Sequence, residues 1–377
     1  RAWQAAEEAP SQARTLPDPE IEIQQFSVGS PRPFAGYSNS NFAYIGFGIS
    51  QDLPYPGKLR LKGEIAARAA AVAQQKYSAT ERAVVLRLKS AYFQLAASAQ
   101  TLTLLAADQQ LLAQIEKAAE AAYSAGKGNQ QDVLKAQLQQ TRLLRDIALE
   151  NQQKGDLEAQ IKQLLNRPPQ SSAIVPAVEA ETPLSLNEAD LRTLVRAGNP
   201  AVRAAADHVD GQALRLNLAH KNFYPDFSVQ YMWQHTAAPF RDYYMLGIGL
   251  KLPIHRQAKL RPEVAEAAAR LAGSRLAYED QVQQIYAEVH TQFLAAKTGA
   301  RILRIYRQGL MPQAEAEFHA SLAAYESHRE DFQTLLSSFL DVLNLDQEYW
   351  QALASHEIAI ATLEELTGAP LFPAGAK

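Results

Sequence analysis

The 377-residue sequence contains no cysteine. That absence excludes disulfides, thiolate nucleophiles and cysteine-ligated zinc, and it suits an oxidising compartment. Histidine is sparse: eight residues are scattered from His208 to His356, with no HExxH and no pair four apart that would put two ligands on one helix face. Three methionines are too few for a soft-metal path. An excess of charge of one sign is missing too. The 37 basic and 40 acidic residues leave a net charge of −3, so nothing marks a nucleic-acid surface. No apolar run reaches the ~18 residues that a membrane-spanning helix needs. Neither glycine nor proline occurs between Glu64 and Ala125, where Ala, Leu, Gln and Glu dominate. This last absence predicts one uninterrupted helix over 58–124, spanning ~100 Å at 1.5 Å per residue. Leu88, Leu95 and Leu102 recur every seven residues along it, and Leu105 and Leu112 continue at the partner position.

What the sequence does contain is a duplication. "YSAGKGNQQDVL" (123–134) matches "YESHREDFQTLL" (325–336) at an offset of 202, which also sets "QLLNRPP" (163–169) on "EELTGAP" (364–370). "LPDPEIEI" (16–23) matches "FYPDFSVQY" (223–231) near an offset of 206, and "GFGISQDLPYPGKLR" (46–60) matches "GIGLKLPIHRQAKLR" (247–261) near 201. The first repeat, 1–165, is expected to hold strands at 19–29 and 41–51 and helices at 58–124 and 129–166. A Pro- and Ser-rich linker follows at 166–188. The second repeat, 189–377, is expected to hold a helix at 189–221, strands at 225–235 and 243–253, and helices at 258–326 and 329–367. Pro312 is expected to kink the long helix of this copy. The second copy opens with a helix that has only a partial counterpart in the first, which predicts that roughly one to two dozen residues precede Arg1.

The strands alternate. Phe227, Val229, Tyr231 and Trp233 share a face, opposite Ser228, Gln230, Met232 and Gln234. Leu246, Ile248 and Leu250 oppose Met245, Gly247, Gly249 and Lys251, and Ala43, Ile45, Phe47 and Ile49 oppose Phe42, Tyr44, Gly46, Gly48 and Ser50. Each segment approaches the ~9–11 residues of a membrane β-strand. A soluble sheet with one buried face has the same period. Four strands cannot close a barrel, and open edges leave backbone groups unpaired in lipid, so a membrane reading requires oligomerisation. Three copies would supply 12 strands, an even number within the known range.

The sequence resembles the TolC-type outer-membrane factors of tripartite efflux pumps and type I secretion systems over nearly its whole length. The resemblance is carried by Tyr123, Gly126, Asp132, Val133, Leu134, Ala136 and Gln137, by the strand-to-helix join "SQDLPYPGKLR" (50–60), by Asn199–Pro200, and by the duplication itself. "QDLPYPGK" and "LMPQAEAEF" (310–318) look most like the heavy-metal resistance branch. The resemblance implies a mainly α fold with membrane β: a homotrimer whose 12-stranded β-barrel in a Gram-negative outer membrane is continued by a periplasmic α-helical barrel. It implies a passive exit duct, fed by an inner-membrane pump through a periplasmic adaptor, with no enzymatic activity, cofactor or metal site. Ala43, Ile45, Phe47, Ile49, Phe227, Val229, Tyr231, Trp233, Leu246, Ile248 and Leu250 would face lipid. Tyr123, Gly126, Lys127, Gly128, His328 and Arg329 would form the tip where the adaptor docks. Asp132, Lys127 and Arg329 are candidates for a gate; the competing reading makes Asp132 a helix-capping residue only. The second tip departs from the pattern, with no glycine and with Thr334 in place of Asp132. The rival reading for the whole chain is a soluble periplasmic coiled-coil scaffold or adaptor.

Overall fold

The structure is a computed structural model describing residues 1–35, 40, 42–177, 181–236, 239, 241–327 and 329–372. In chain order its elements are α1 (Ala2–Glu7), α2 (Ala9–Arg14), β1 (Glu20–Phe26), β2 (Tyr44–Leu53), α3 (Lys58–Ser124), α4 (Gln130–Leu164), α5 (Glu188–Gly198), α6 (Pro200–Lys221), β3 (Asp226–His235), β4 (Tyr243–Lys251), α7 (Arg261–Ile305), α8 (Met311–Glu326) and α9 (Phe332–Thr367). The gap-free stretch after Glu64 does run as one 67-residue helix, α3. No described helix is long and apolar enough to cross a membrane.

Two helices expected as single pieces are interrupted, each at a proline. The stretch 189–221 divides at Asn199, because Pro200 has no N–H to donate and starts α6 afresh. Of two five-residue π-helical turns, Arg256–Leu260 overlaps the start of the stretch 258–326 and Tyr306–Leu310 interrupts it. Each directly precedes a helix whose second residue is proline, Pro262 or Pro312. Widening one turn frees the carbonyl that the proline ring would strike, so the axis continues with a local bulge. α9 begins at Phe332, three residues after its expected start, because Asp331 caps it by accepting from Thr334 N–H at 2.8 Å.

The chain divides into two compact units, and neither is a sequence repeat. One combines Arg1–Ser78 with Pro200–Val282; the other combines Ala79–Asn199 with Gln283–Lys377. The first unit holds all four strands in a single antiparallel sheet of order β1-β2-β3-β4. Sequential strands thus neighbour one another, and β1 and β4 are left as open edges. The sheet joins its helices through a partly buried ion pair. Lys58, at the start of α3, meets Asp226, at the start of β3, at 2.8 Å, and Asp226 also accepts from Tyr55 N–H at 2.7 Å. The rings of Tyr55 and Tyr224 stack beside this pair at 4.6 Å.

In the second unit the heptad leucines do the packing. Leu105, Leu112 and Ile115 of α3 interlock with Leu143 of α4, Phe318 of α8, and Phe332, Leu335 and Phe339 of α9. The segment between α4 and α5 has no helix or strand among its described residues, yet it is fastened twice. Tyr92 Oη donates to Ala177 O and accepts from Ala177 N–H, while Thr182 donates N–H and Oγ–H to the buried carboxylate of Glu357, each at 2.7 Å.

Candidate functional site

The sheet sorts its side chains by chemistry, and pairing register does the sorting. Ile21 and Ile23 stand opposite Ile49 and Phe47; Phe47 and Ile49 stand opposite Trp233 and Tyr231. Across the next seam Phe227, Val229 and Tyr231 meet Leu250, Ile248 and Leu246. One face is therefore apolar across all four strands. It is also exposed in the single chain, up to 77% at Ile248 and 72% at Ile21. A one-residue slip anywhere would turn one strand's apolar set to the other face.

The opposite face carries Glu22 and Gln24, Gly46, Gly48 and Ser50, Ser228 and Gln230, and Gly247 and Gly249. Met232 on this face is 1% exposed and lies over Gly46 and Gly48, while Met245 beside it is exposed. A Cβ on Gly48 would come within 3.3 Å of the Met232 methyl, which accounts for the small residues there. Ten of the eleven residues expected on the outer face lie on the exposed apolar side. Ala43 does not: it precedes β2, donates its N–H to Ser40 O, and is fully buried.

The glycine turn lies in the second unit. α3 stops in a Schellman arrangement: Gly126 N–H reaches Tyr123 O at 2.9 Å, and Lys127 N–H reaches Ala122 O at 2.8 Å. Gly126 has φ of +71°, where a side chain is strained, although no atom lies within 4 Å of a Cβ placed there. Gly128 has a different reason to be glycine, since its Cβ would stand 3.0 Å from that of Ala122. Asn129 then opens α4 in a capping box with Asp132, whose carboxylate accepts from Asn129 N–H at 3.4 Å.

The second turn repeats the backbone pattern at the offset of 202. Arg329 N–H reaches Ala324 O at 2.8 Å, the same six-to-one bond, and Asp331 caps α9 where Asn129 caps α4. Hydrogen bonds from Thr334 N–H and Oγ–H hold the Asp331 carboxyl below its ordinary range. Tyr123 is exposed, and the Arg329 guanidinium donates to Ser327 Oγ at 2.9 Å. His328 lies outside the described residues.

Asp132, Lys127 and Arg329 form no ion pair with one another within the chain, among the described residues. The link between the two turns is one that sequence reasoning missed: Lys135 of α4 donates to Gln333 of α9 at 2.8 Å. Burial, and secondarily the charge of Asp132, raise the Tyr325 hydroxyl above its usual range. Among the described residues no cluster of His, Asp and Glu is arranged to hold a metal.

A four-stranded sheet with very long helices is a fold that known proteins share. The family model for outer membrane efflux proteins matches residues 2–167 and 191–369. The chain belongs to the outer membrane efflux protein family. The two matched regions are consistent with the two sequence copies. Solved outer-membrane proteins have the same fold. The outer membrane protein VceC from Vibrio cholerae superposes with a TM-score of 0.81 at 15% identity, covering 98% of this chain and 92% of VceC. CusC, whose structures show conformational changes accompanying folding and transmembrane channel formation, gives 0.82 at 14% identity, over 98% and 87%. The open-state MtrE channel of Neisseria gonorrhoeae gives 0.78 at 16%, over 98% and 86%. No curated protein sequence matches the chain significantly. This efflux protein is accordingly an outer-membrane channel of a tripartite efflux pump, in a family of transport ducts. The soluble-scaffold reading finds no support in these likenesses.

Proposed function

We propose that this efflux protein works as a homotrimer in the outer membrane of a Gram-negative bacterium, with its long helices forming a periplasmic duct. The observation that carries this reading is the sheet. Four strands turn one continuous apolar face outward and leave both edges unpaired. Exposed apolar surface of that extent needs a covering, and lipid covers it without a protein partner. Lipid also forbids the open edges, so β1 and β4 must each find a strand from another copy. Three copies close an even barrel of 12 strands, and the inner face of Gly, Ser, Gln and Glu then lines a wetted lumen.

The glycine turn with Tyr123, Gly126, Lys127 and Gly128, together with Arg329 and His328 of the second turn, is the docking surface for a periplasmic adaptor. The adaptor links the duct to an inner-membrane pump, which supplies the energy. The test is direct. The protein is extracted from outer-membrane fractions in mild detergent, its native mass is measured, and it is placed in planar bilayers. A trimer that conducts ions is the expected result; a monomer recovered from the soluble periplasm would overturn the reading.

A further inference from the structure

Lysine is a poor residue with which to begin a helix, because the N-terminal end of the dipole repels a cation. Here lysine occupies that place twice. Lys58 is the first residue of α3, whose first turn holds no acid, and Lys259 lies in the π-helical turn that leads into α7. The two belong to the same "KLR" at the two copies' strand-to-helix joins, 58–60 and 259–261. For Lys58 the structure gives the compensation. Its side chain is 8% exposed, pairs with Asp226 at 2.8 Å, and also donates to Tyr224 O at 3.3 Å. It ties the end of β2 to the beginning of β3, two strands that are neighbours in the sheet.

Lys259 has no such partner: it is exposed and makes no ion pair or side-chain hydrogen bond among the described residues. Asp226 has a counterpart that is equally idle. The "PD" at 225–226, ahead of β3, recurs as "PD" at 17–18, ahead of β1, and Asp18 is exposed without an ion pair among the described residues. Within one chain the cation stands after β4 and the acid before β1, at opposite edges of the sheet. They come together only when β4 of one protomer lies beside β1 of the next.

We propose that Lys259 of one protomer pairs with Asp18 of its neighbour, and that the neighbouring β1 meets β4 in the register β3 uses against β2. This rests on the trimeric-barrel reading above. Transferring the β2–β3 register through the duplication, with Pro17–Asp18 set on Pro225–Asp226, places Leu250 opposite the neighbour's Ile23, Leu252 opposite its Ile21, and Ile248 opposite its Gln25. Leu250, Leu252, Ile21 and Ile23 are all exposed at the open edges, and this register buries them pairwise on the apolar face. The equivalence stops at the aromatic stack: Arg256 and Leu16 stand where Tyr55 and Tyr224 touch, so the ion pair is what the two seams have in common.

The experiment compares wild type, Asp18→Lys, Lys259→Asp and the doubly reversed protein, reading the temperature at which the trimer dissociates in mild detergent. Each single reversal is expected to lower that temperature and the double reversal to restore most of it. Singles without effect, or a double no better than the weaker single, overturn the pair. Because the chain has no cysteine, Asp18→Cys with Lys259→Cys gives an independent arm with a short bis-maleimide linker. Covalent dimers and trimers are expected from the double variant, and only monomers from either single one. A wild type with the native mass of one chain would refute the trimer itself; a trimer that gives no cross-linked product refutes only the pairing.

Discussion

Asp108 shows what a single misplaced charge does in a helical core. It sits on α3 between the buried Leu105 and Leu112, across from Asp346 of α9, which in turn feels Glu315. Burial, and then the charge of Asp346, raise its carboxyl from 3.8 to about 6. The folded chain therefore holds this proton more tightly than the unfolded one. The stability it contributes is full below about pH 4 and is lost as pH rises through about 6. Asp108→Asn should consequently stabilise the protein at pH 7.5 by about 1 kcal/mol, a figure reduced because the carboxyl is partly solvated. At pH 4.5 most of the gain should vanish. Denaturant melts at the two pH values check this, and an equal effect at both would show that charge is not the cause. Gly126 makes the contrasting case, a conformational constraint with no steric one. A β-branched side chain at its φ of +71° costs about 1–3 kcal/mol of local strain. Gly126→Val should assemble normally yet lose efflux, measured as substrate retained in cells that depend on this channel; full efflux would remove the turn from adaptor docking.

Among the elements, the helices were the most legible in the sequence, and the reason is length. Sixty residues without Gly or Pro and a seven-residue leucine period leave α3 no alternative, and Leu95, Leu105 and Leu112 are indeed buried. The strand faces were legible for the same reason, since a period of two survives any small error in strand ends. The pairing partners were not, because Phe47 beside Trp233 joins residues 186 apart and no local signal encodes it. The two π-helical turns were also missed: a proline announces a disturbance but not whether the helix will break, as at Pro200, or bulge, as before Pro312. The tip bonds were half visible, in the Gly126 turn but not in Lys135 and Gln333, because side-chain bridges between helices leave no spacing. The faces themselves can be tested at element level. Ile248→Arg near the middle of β4 should cost about 2–4 kcal/mol per chain in bilayer-embedded protein. Ser228→Arg, on the opposite face of β3, should cost much less and alter conductance instead. Equal losses for both variants in urea titrations from lipid vesicles would invalidate the assignment of faces.

At the scale of the whole molecule, closure by three copies turns each single feature into a ring. Six exposed sheet edges would become three seams, and the turns would be repeated around the end of the proposed duct. Whether a ring of Asp132 gates that end depends on what the carboxylate already does in one chain. It completes the capping box with Asn129, its charge acts on Tyr325, and it forms no ion pair with Lys127 or Arg329 among the described residues. The second copy shows that a turn of this kind closes without that acid. Asp331 caps α9 directly, and Thr334, which takes the place of Asp132, donates to it. A threonine in the acid's place in the repeat favours the reading in which Asp132 serves the helix start rather than the axis. Asp132→Ala should thus lower thermal stability by about 0.3–1 kcal/mol per chain and leave single-channel conductance at the wild-type level. The double change Lys127→Ala with Arg329→Ala should behave likewise in conductance, since neither cation pairs with an acid among the described residues. If instead the double change raises conductance, and Asp132→Ala alters cation block from the helical end, then the three acids do face one another across the axis. The cations would in that case be holding the ring closed.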